Sequence, residues 1–291
     1  MVRALGLNTV SIEDLANRLN SLCDEQPFQS CWYLQDLGTN ESVHRNGHTV
    51  VTSASTRKIA ILAAALKAVN EGRLALDQPV VVVAKYQDNN SGCFQHLQPG
   101  FTIQFRDALI MMIIVSDNTC TGTVADMVSL DEINALCQSV GMTGTTHRHG
   151  IPPNGLPRNR PIDATNTTTS ADVGLLLALM LEGTTDADVA ACLGSTPELC
   201  QLAIDILSWQ KLRDRLPSML PHGTRVAHKT GTGTRDCNDA GIVYQGDKPL
   251  FILTAYTESE PTVLDDGTPY AYAATRLIGQ LSRTCYDALA Q

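Results

Sequence analysis

The chain has 291 residues, about twice an ordinary domain of ~150, with 43% hydrophobic and 18% charged side chains. That balance excludes a disordered chain, and the longest apolar runs, 109–115 and 175–181, fall far short of the ~20 residues that a membrane-spanning helix needs. Thirty acids against 21 Lys and Arg give a formal charge of −9, the wrong sign for neutralising phosphates, so neither nucleic acid nor membrane is an expected partner.

Residues 1–8 carry one basic side chain, Arg3, and no apolar stretch before a small-residue cleavage site. A cytoplasmic chain is expected; one trimmed of its leader, periplasmic or secreted, would look the same. Nine cysteines occur with no CxxC and no Cys/His cluster at ligand spacing, so no metal is expected, and the odd count leaves at least one thiol unpaired. Buried reduced thiols are the favoured state, with a Cys23–Cys31 bridge as the alternative.

Ser11-Ile12-Glu13-Asp14 has the form of a helix cap, and Leu15, Leu19 and Leu22 continue at helical period. Residues 31–37 and 49–52 are β-rich with turn chemistry between them, which predicts a hairpin. A helix follows from Thr56 to a stop at Gly72, and further helices are predicted over 106–115, 119–128, 130–140 and 170–182, interrupted by the Gly/Pro/Asn-rich stretch 150–159. Strands return at 224–229, 240–244 and 250–257, and a last helix is predicted to begin with Thr268 as cap and Pro269 at its first position and to reach Leu289. The expected fold is α+β: an antiparallel sheet assembled from both ends of the chain, flanked by the terminal helices, with a helical domain inserted. The boundaries are 1–52 plus 205–291 for the sheet domain and 53–204 for the helical one, with a ligand cleft between them.

Three short patterns carry chemistry. Ser55-Thr56-Arg57-Lys58 places a hydroxyl and an amine three residues apart at a helix start, on one face. A serine becomes a nucleophile when a neighbouring base takes its proton, and a lysine serves once desolvation or nearby positive charge lowers its pKa. Alone, this SxxK arises by chance roughly once in a few hundred residues and reads as a cap and a solvated lysine. Ser116-Asp117-Asn118 stands in a tight interhelical turn, and Lys229-Thr230-Gly231 closes a strand that continues as Thr232-Gly233-Thr234. Each is weak alone; the order SxxK, SDN, KTG is the set found in class A β-lactamases and penicillin-binding proteins.

On these motifs the chain resembles the class A β-lactamase-like serine hydrolases of the β-lactamase and penicillin-binding protein superfamily. The likeness extends to Ser91-Gly92, Leu97-Gln98-Pro99-Gly100, Arg106-Asp107, the run from Met112 into Asn118-Thr119, and Asn238-Asp239-Ala240-Gly241. It implies that Ser55 is acylated, that Lys58 accepts its proton, and that Ser116 passes the proton to the leaving group. Asn118 would bond a substrate amide, Lys229 and Thr230 would bind a substrate carboxylate, and the N–H groups of Ser55 and Thr232 would form the oxyanion hole. The expected partner is a small carboxylate-bearing substrate, with no cofactor. β-Lactam hydrolysis leads; an esterase, peptidase or acyltransferase, or a penicillin-binding protein that acylates without turnover, is the alternative.

One departure stands out. Family members that destroy β-lactams carry a water-activating glutamate in an Ω-shaped loop, yet between Glu132 and Glu182 this chain has none. The loop offers His147, His149 and Asp163, and the two histidines are the candidate deacylation bases. Arg235 is read either as a partner for an anionic substrate or as a solvated edge residue. Trp32 and Trp209 are read as core or junction residues, and Cys120 and Cys237 as packing.

Overall fold

The computed structural model describes residues 10–153 and 155–290. Residues 1–8, read for a leader, lie outside it, as does Asn154 in the Gly/Pro/Asn-rich stretch. Five antiparallel strands form the main sheet in the order β2-β1-β9-β8-β7. They are β1 (Gln29–Asp36), β2 (Ser42–Arg45), β7 (Val226–Thr232), β8 (Asp236–Gln245) and β9 (Lys248–Glu258). The sheet is thus built from both chain ends, as expected, and β7 to β9 are buried on both faces almost throughout.

Helix α1 (Ile12–Asp24) and helix α9 (Tyr270–Leu289) cover the outer face, where Leu15, Leu19, Trp32, Phe251, Leu277 and Ile278 share one core. The inner face carries Ala227, Ala240, Ile242 and Ile252 into a second core with α2 (Lys58–Asn70), α3 (Phe105–Ile114), α4 (Asn118–Val128), α5 (Leu130–Ser139), α6 (Ser170–Glu182), α7 (Ala187–Cys192) and α8 (Pro197–Ser208). Helix α2 is buried without interruption from Lys58 to Leu66. A helix apolar on every side belongs inside, and this one takes Lys58 with it. Gly72 ends its last turn at φ 71°, the left-handed conformation that a glycine stop supplies.

The predicted hairpin has a different partner. β1 pairs with β2 (Trp32 with Arg45, Leu34 with Val43), whereas β3 (Val51–Thr52) pairs with β6 (Thr167–Thr168). Strand β2 escaped prediction because it is a half-exposed edge with one aliphatic residue, Val43. A small hairpin of β4 (Pro79–Val81) and β5 (Thr102–Gln104), and helices α7 and α8, also lay outside the predicted elements. Pro269 is the N-cap residue of α9 rather than its first turn, with no side-chain cap from Thr268. Strand β7 runs through Thr232, so the KTG triplet lies inside a paired strand and not at its end. Trp32 is buried as expected, but Trp209 is 41% exposed. All nine cysteines are free, so the Cys23–Cys31 bridge is not formed. Among the described residues no helix is long and apolar enough to cross a membrane.

Candidate active site

Ser55 stands in a 3-10 turn, Ala54–Arg57, that runs directly into α2. Ala54 has φ 43°, a left-handed conformation that alanine adopts only under constraint. The constraint is visible in the bonds around it. Thr56 Oγ1 donates to the Ser53 carbonyl at 2.6 Å and accepts from Tyr256 Oη at 2.9 Å, Asn238 Nδ2 donates to the Thr52 carbonyl at 3.1 Å, and Ser53 N–H donates to the Asn166 carbonyl at 3.0 Å. Gly231 of β7 lies so close that an added Cβ would stand 3.1 Å from Thr56 Cγ2 and 3.2 Å from Ser53 O. Glycine in the KTG triplet is therefore what lets the strand approach the serine turn.

Ser116 also has positive φ, 57°. The turn that holds it is organised by Asp117, which is fully buried. One carboxylate oxygen accepts from Cys120 N–H at 3.0 Å and caps α4; the other accepts from Cys93 N–H and Phe94 N–H at 2.8 Å each. Gly92, at φ 91°, passes within 2.3 Å of Asp117 if given a Cβ. The central residue of the triplet thus fixes the backbone, and its neighbours face the amine. Lys58 Nζ lies 2.7 Å from the Ser116 carbonyl, 3.0 Å from Ser116 Oγ and 2.8 Å from Asn118 Oδ1. Burial, then the charges of Lys229 and Arg57, hold the Lys58 amine well below the usual lysine range.

On β7, Lys229 and Thr230 are buried and Thr232 is exposed at the edge. Lys229 Nζ donates to the Thr230 carbonyl at 2.9 Å, and burial lowers its pKa to about 7. The neighbouring His228 instead meets Asp239, Nδ1 lying 3.0 Å from both carboxylate oxygens. Arg215, which the sequence reading passed over, braces the strand from behind. It donates to the Gly231 and Asn238 carbonyls and to Thr232 Oγ1, each at 2.6 Å.

Ser55, Ser116, Asn118, Thr230 and Thr232 come together on one cavity of about 350 Å³, within the range of small-molecule sites. Lys58 and Lys229 lie just behind that wall. The two candidate deacylation bases do not line it. His147 is 3% exposed, its Nε2 3.4 Å from the Arg57 carbonyl oxygen, and burial lowers its pKa to about 3. His149 is half-buried, its Nε2 3.3 Å from the Ala164 carbonyl. Both belong to the neck of the loop, where Thr146 and Thr167 exchange backbone hydrogen bonds at 3.0 Å and Asn166 Oδ1 accepts the N–H groups of Arg148 and His149. Asp163 is exposed and off the wall as well.

Among the described residues the only carboxylate on the cavity wall is Asp236, 3.5 Å from Arg160 and raised in pKa by burial. Arg235 is committed elsewhere: it pairs with Glu258 and donates to the Arg158 carbonyl at 2.8 Å. Arg57, unremarked in the sequence except as an interior letter of SxxK, is on the wall. Burial raises the pKa of both Cys120 and Cys237, and neither cysteine lies on the wall.

The SxxK, SDN and KTG segments thus meet at one cavity, with Ser55, Ser116, Asn118 and Thr230 on its wall and Lys58 and Lys229 buried. A model of the Beta-lactamase enzyme family matches residues 14–289. The chain belongs to that family. Membership supports a β-lactamase-like hydrolase. No curated protein matches the chain. Among solved structures, a β-lactamase from Sphaerobacter thermophilus is 24% identical over 96% of this chain and 98% of its own, with a TM-score of 0.81, which shows the fold. PBP-A is 27% identical over 94% of this chain and 95% of its own, with a TM-score of 0.78. A leucine-to-glutamate mutant of PBP-A, solved as an acyl-enzyme complex with penicillin G, is 26% identical over 95% and 96%, again at 0.78.

Proposed function

We propose that the protein is a serine acyl-transfer enzyme that opens β-lactams by forming an ester on Ser55 and hydrolyses that ester slowly. The observation that carries this reading is the buried Lys58 amine, 3.0 Å from Ser116 Oγ and one turn after Ser55. A neutral amine has two N–H groups and one lone pair. Burial shifts Lys58 toward that form; its Nζ is within hydrogen-bond distance of the Ser116 carbonyl, Ser116 Oγ and Asn118 Oδ1, and in the neutral amine one of these directions carries the lone pair that takes a hydroxyl proton. Lys58 takes the Ser55 proton as Ser55 Oγ attacks the lactam carbonyl; the C–N bond breaks, and the proton reaches the ring nitrogen through Ser116 Oγ. The backbone N–H groups of Ser55 and Thr232 stabilise the oxyanion. Asn118 orients the acyl amide, and Thr230 with Lys229 behind it meets the substrate carboxylate.

The absence of a histidine or glutamate from the described cavity wall supports a second reading on the same scaffold. An alcohol or amine acceptor would then complete an esterase, peptidase or acyltransferase cycle better than water. A panel of penicillin, p-nitrophenyl ester and D-amino-acid amide, assayed for turnover, separates the two: ester or amide turnover without any reaction with penicillin overturns the β-lactam assignment.

Lys229 gives the carboxylate role a pH signature. With a pKa near 7 its charge is present below neutrality and is lost as pH rises. Binding of a carboxylate-bearing substrate is expected to weaken several-fold between about pH 6 and 8, and to weaken with added salt, whereas a neutral ester is little affected. Parallel KM profiles for the two substrates would remove Lys229 from that role.

A further inference from the structure

Arg57 occupies the second variable position of SxxK, immediately before the mainly apolar helix α2, and it is 4% exposed. Its Nη2 donates to the Gly150 carbonyl at 2.5 Å, which ties the guanidinium to the loop. Its Nη1 is buried and has no hydrogen-bond partner. No carboxylate pairs with Arg57 among the described residues; its charge instead helps to lower the pKa of the Lys58 amine and of the His147 ring. The one acid on the described wall, Asp236, is taken by Arg160. Burial lowers the Arg57 pKa only to about 10, so it is a cation at neutral pH. A buried guanidinium without a counter-ion opposes folding, and such local violations belong to functional sites.

We propose that Arg57 is a second anion site, beneath the loop, and that the substrate carries a carboxylate on the acyl side of the scissile bond in addition to the one met by Lys229 and Thr230. The proposal rests on the acyl-transfer reading, which puts the leaving-group carboxylate at β7 and leaves the loop side of the cavity to the acyl group. A dianionic substrate would supply the charge that the protein withholds from Arg57, which lines the cavity and keeps Nη1 as an unused donor. Charge-assisted hydrogen bonds of this kind change affinity by about ten- to a hundredfold.

The matched probes are benzylpenicillin and its α-carboxy derivative, which differ by one carboxylate on the acyl side chain. Acylation rates at low probe concentration are read by intact mass for the wild type, Arg57→Lys and Arg57→Leu. The ratio of the two probes within each protein cancels any effect on Lys58. The wild type is expected to favour the α-carboxy compound about tenfold or more, Arg57→Lys to keep part of that preference, and Arg57→Leu to lose it. An unchanged ratio in Arg57→Leu, or no preference in the wild type, overturns the site.

If neither penicillin acylates the wild type, the β-lactam reading fails separately, and a thermal shift decides the site. Millimolar phenylmalonate should then raise the melting temperature of the wild type more than phenylacetate does, and should lose that advantage in Arg57→Leu. Equal shifts from the two acids overturn it. Should Arg57→Leu fail to fold, the comparison is made with Arg57→Lys, where an unchanged ratio and unchanged shifts count against the site.

Discussion

Ser55→Ala is expected to reduce turnover of any acyl substrate by three orders of magnitude or more, with Lys58→Ala nearly as damaging. The two side chains act as a unit: without the hydroxyl there is no ester to form, and without the amine the hydroxyl keeps its proton. Neither substitution should unfold the protein. Ser55 is partly exposed on the cavity wall, and burial already holds the Lys58 amine well below the usual lysine range, so truncating it removes no ion pair that the fold depends on. The expected signature is therefore a catalytic loss with a cooperative unfolding transition retained, and with the melting temperature held in Ser55→Ala. Steady-state assays beside thermal unfolding check it; activity within about tenfold of wild type would remove Ser55 from the reaction.

The second large effect concerns the order of the steps. Acylation needs Ser55, Lys58, Ser116 and two backbone donors, and all have places around the cavity. Deacylation needs a base that holds water against the ester carbonyl, and the described wall offers neither glutamate nor histidine. His147 is buried against the Arg57 carbonyl with its ring kept neutral by burial, and it is not on the cavity wall. Loss of one general base slows its step by ~10²- to 10⁴-fold. Stopped-flow with a chromogenic cephalosporin should show a burst of one product per enzyme, followed by a steady rate lower by two orders of magnitude or more. A linear trace at high turnover would mean that another group, Asp236 on the wall or one outside it, activates water.

What could be read from the sequence follows from where its signals are local. The SxxK, SDN and KTG motifs were legible because each is a contiguous string of three or four residues. The helix from Thr56 and the strands 240–244 and 250–257 announced themselves by composition. The bracing was not legible, because it joins residues far apart in the chain. Tyr256 bonds Thr56 across 200 positions, and Arg215 holds the strand edge through the Gly231 and Asn238 carbonyls. Strand β2 was missed because an exposed edge carries little hydrophobic signal. Arg57 did leave a trace, a second cation beside Lys58 before an apolar run, yet its lack of an acid partner is a fact of three dimensions. The histidines drew notice for the opposite reason: they are near the missing glutamate in sequence, while the neck of the loop turns both away from the cavity.

The most direct test of the central claim is where the acyl group goes. The protein is mixed with excess penicillin G, quenched in acid after seconds to minutes, and digested for peptide mass mapping. The expected result is a mass increase equal to the whole penicillin on the peptide that contains Ser55, absent from Ser55→Ala. An adduct on any other residue, or no adduct together with no turnover, would contradict the account.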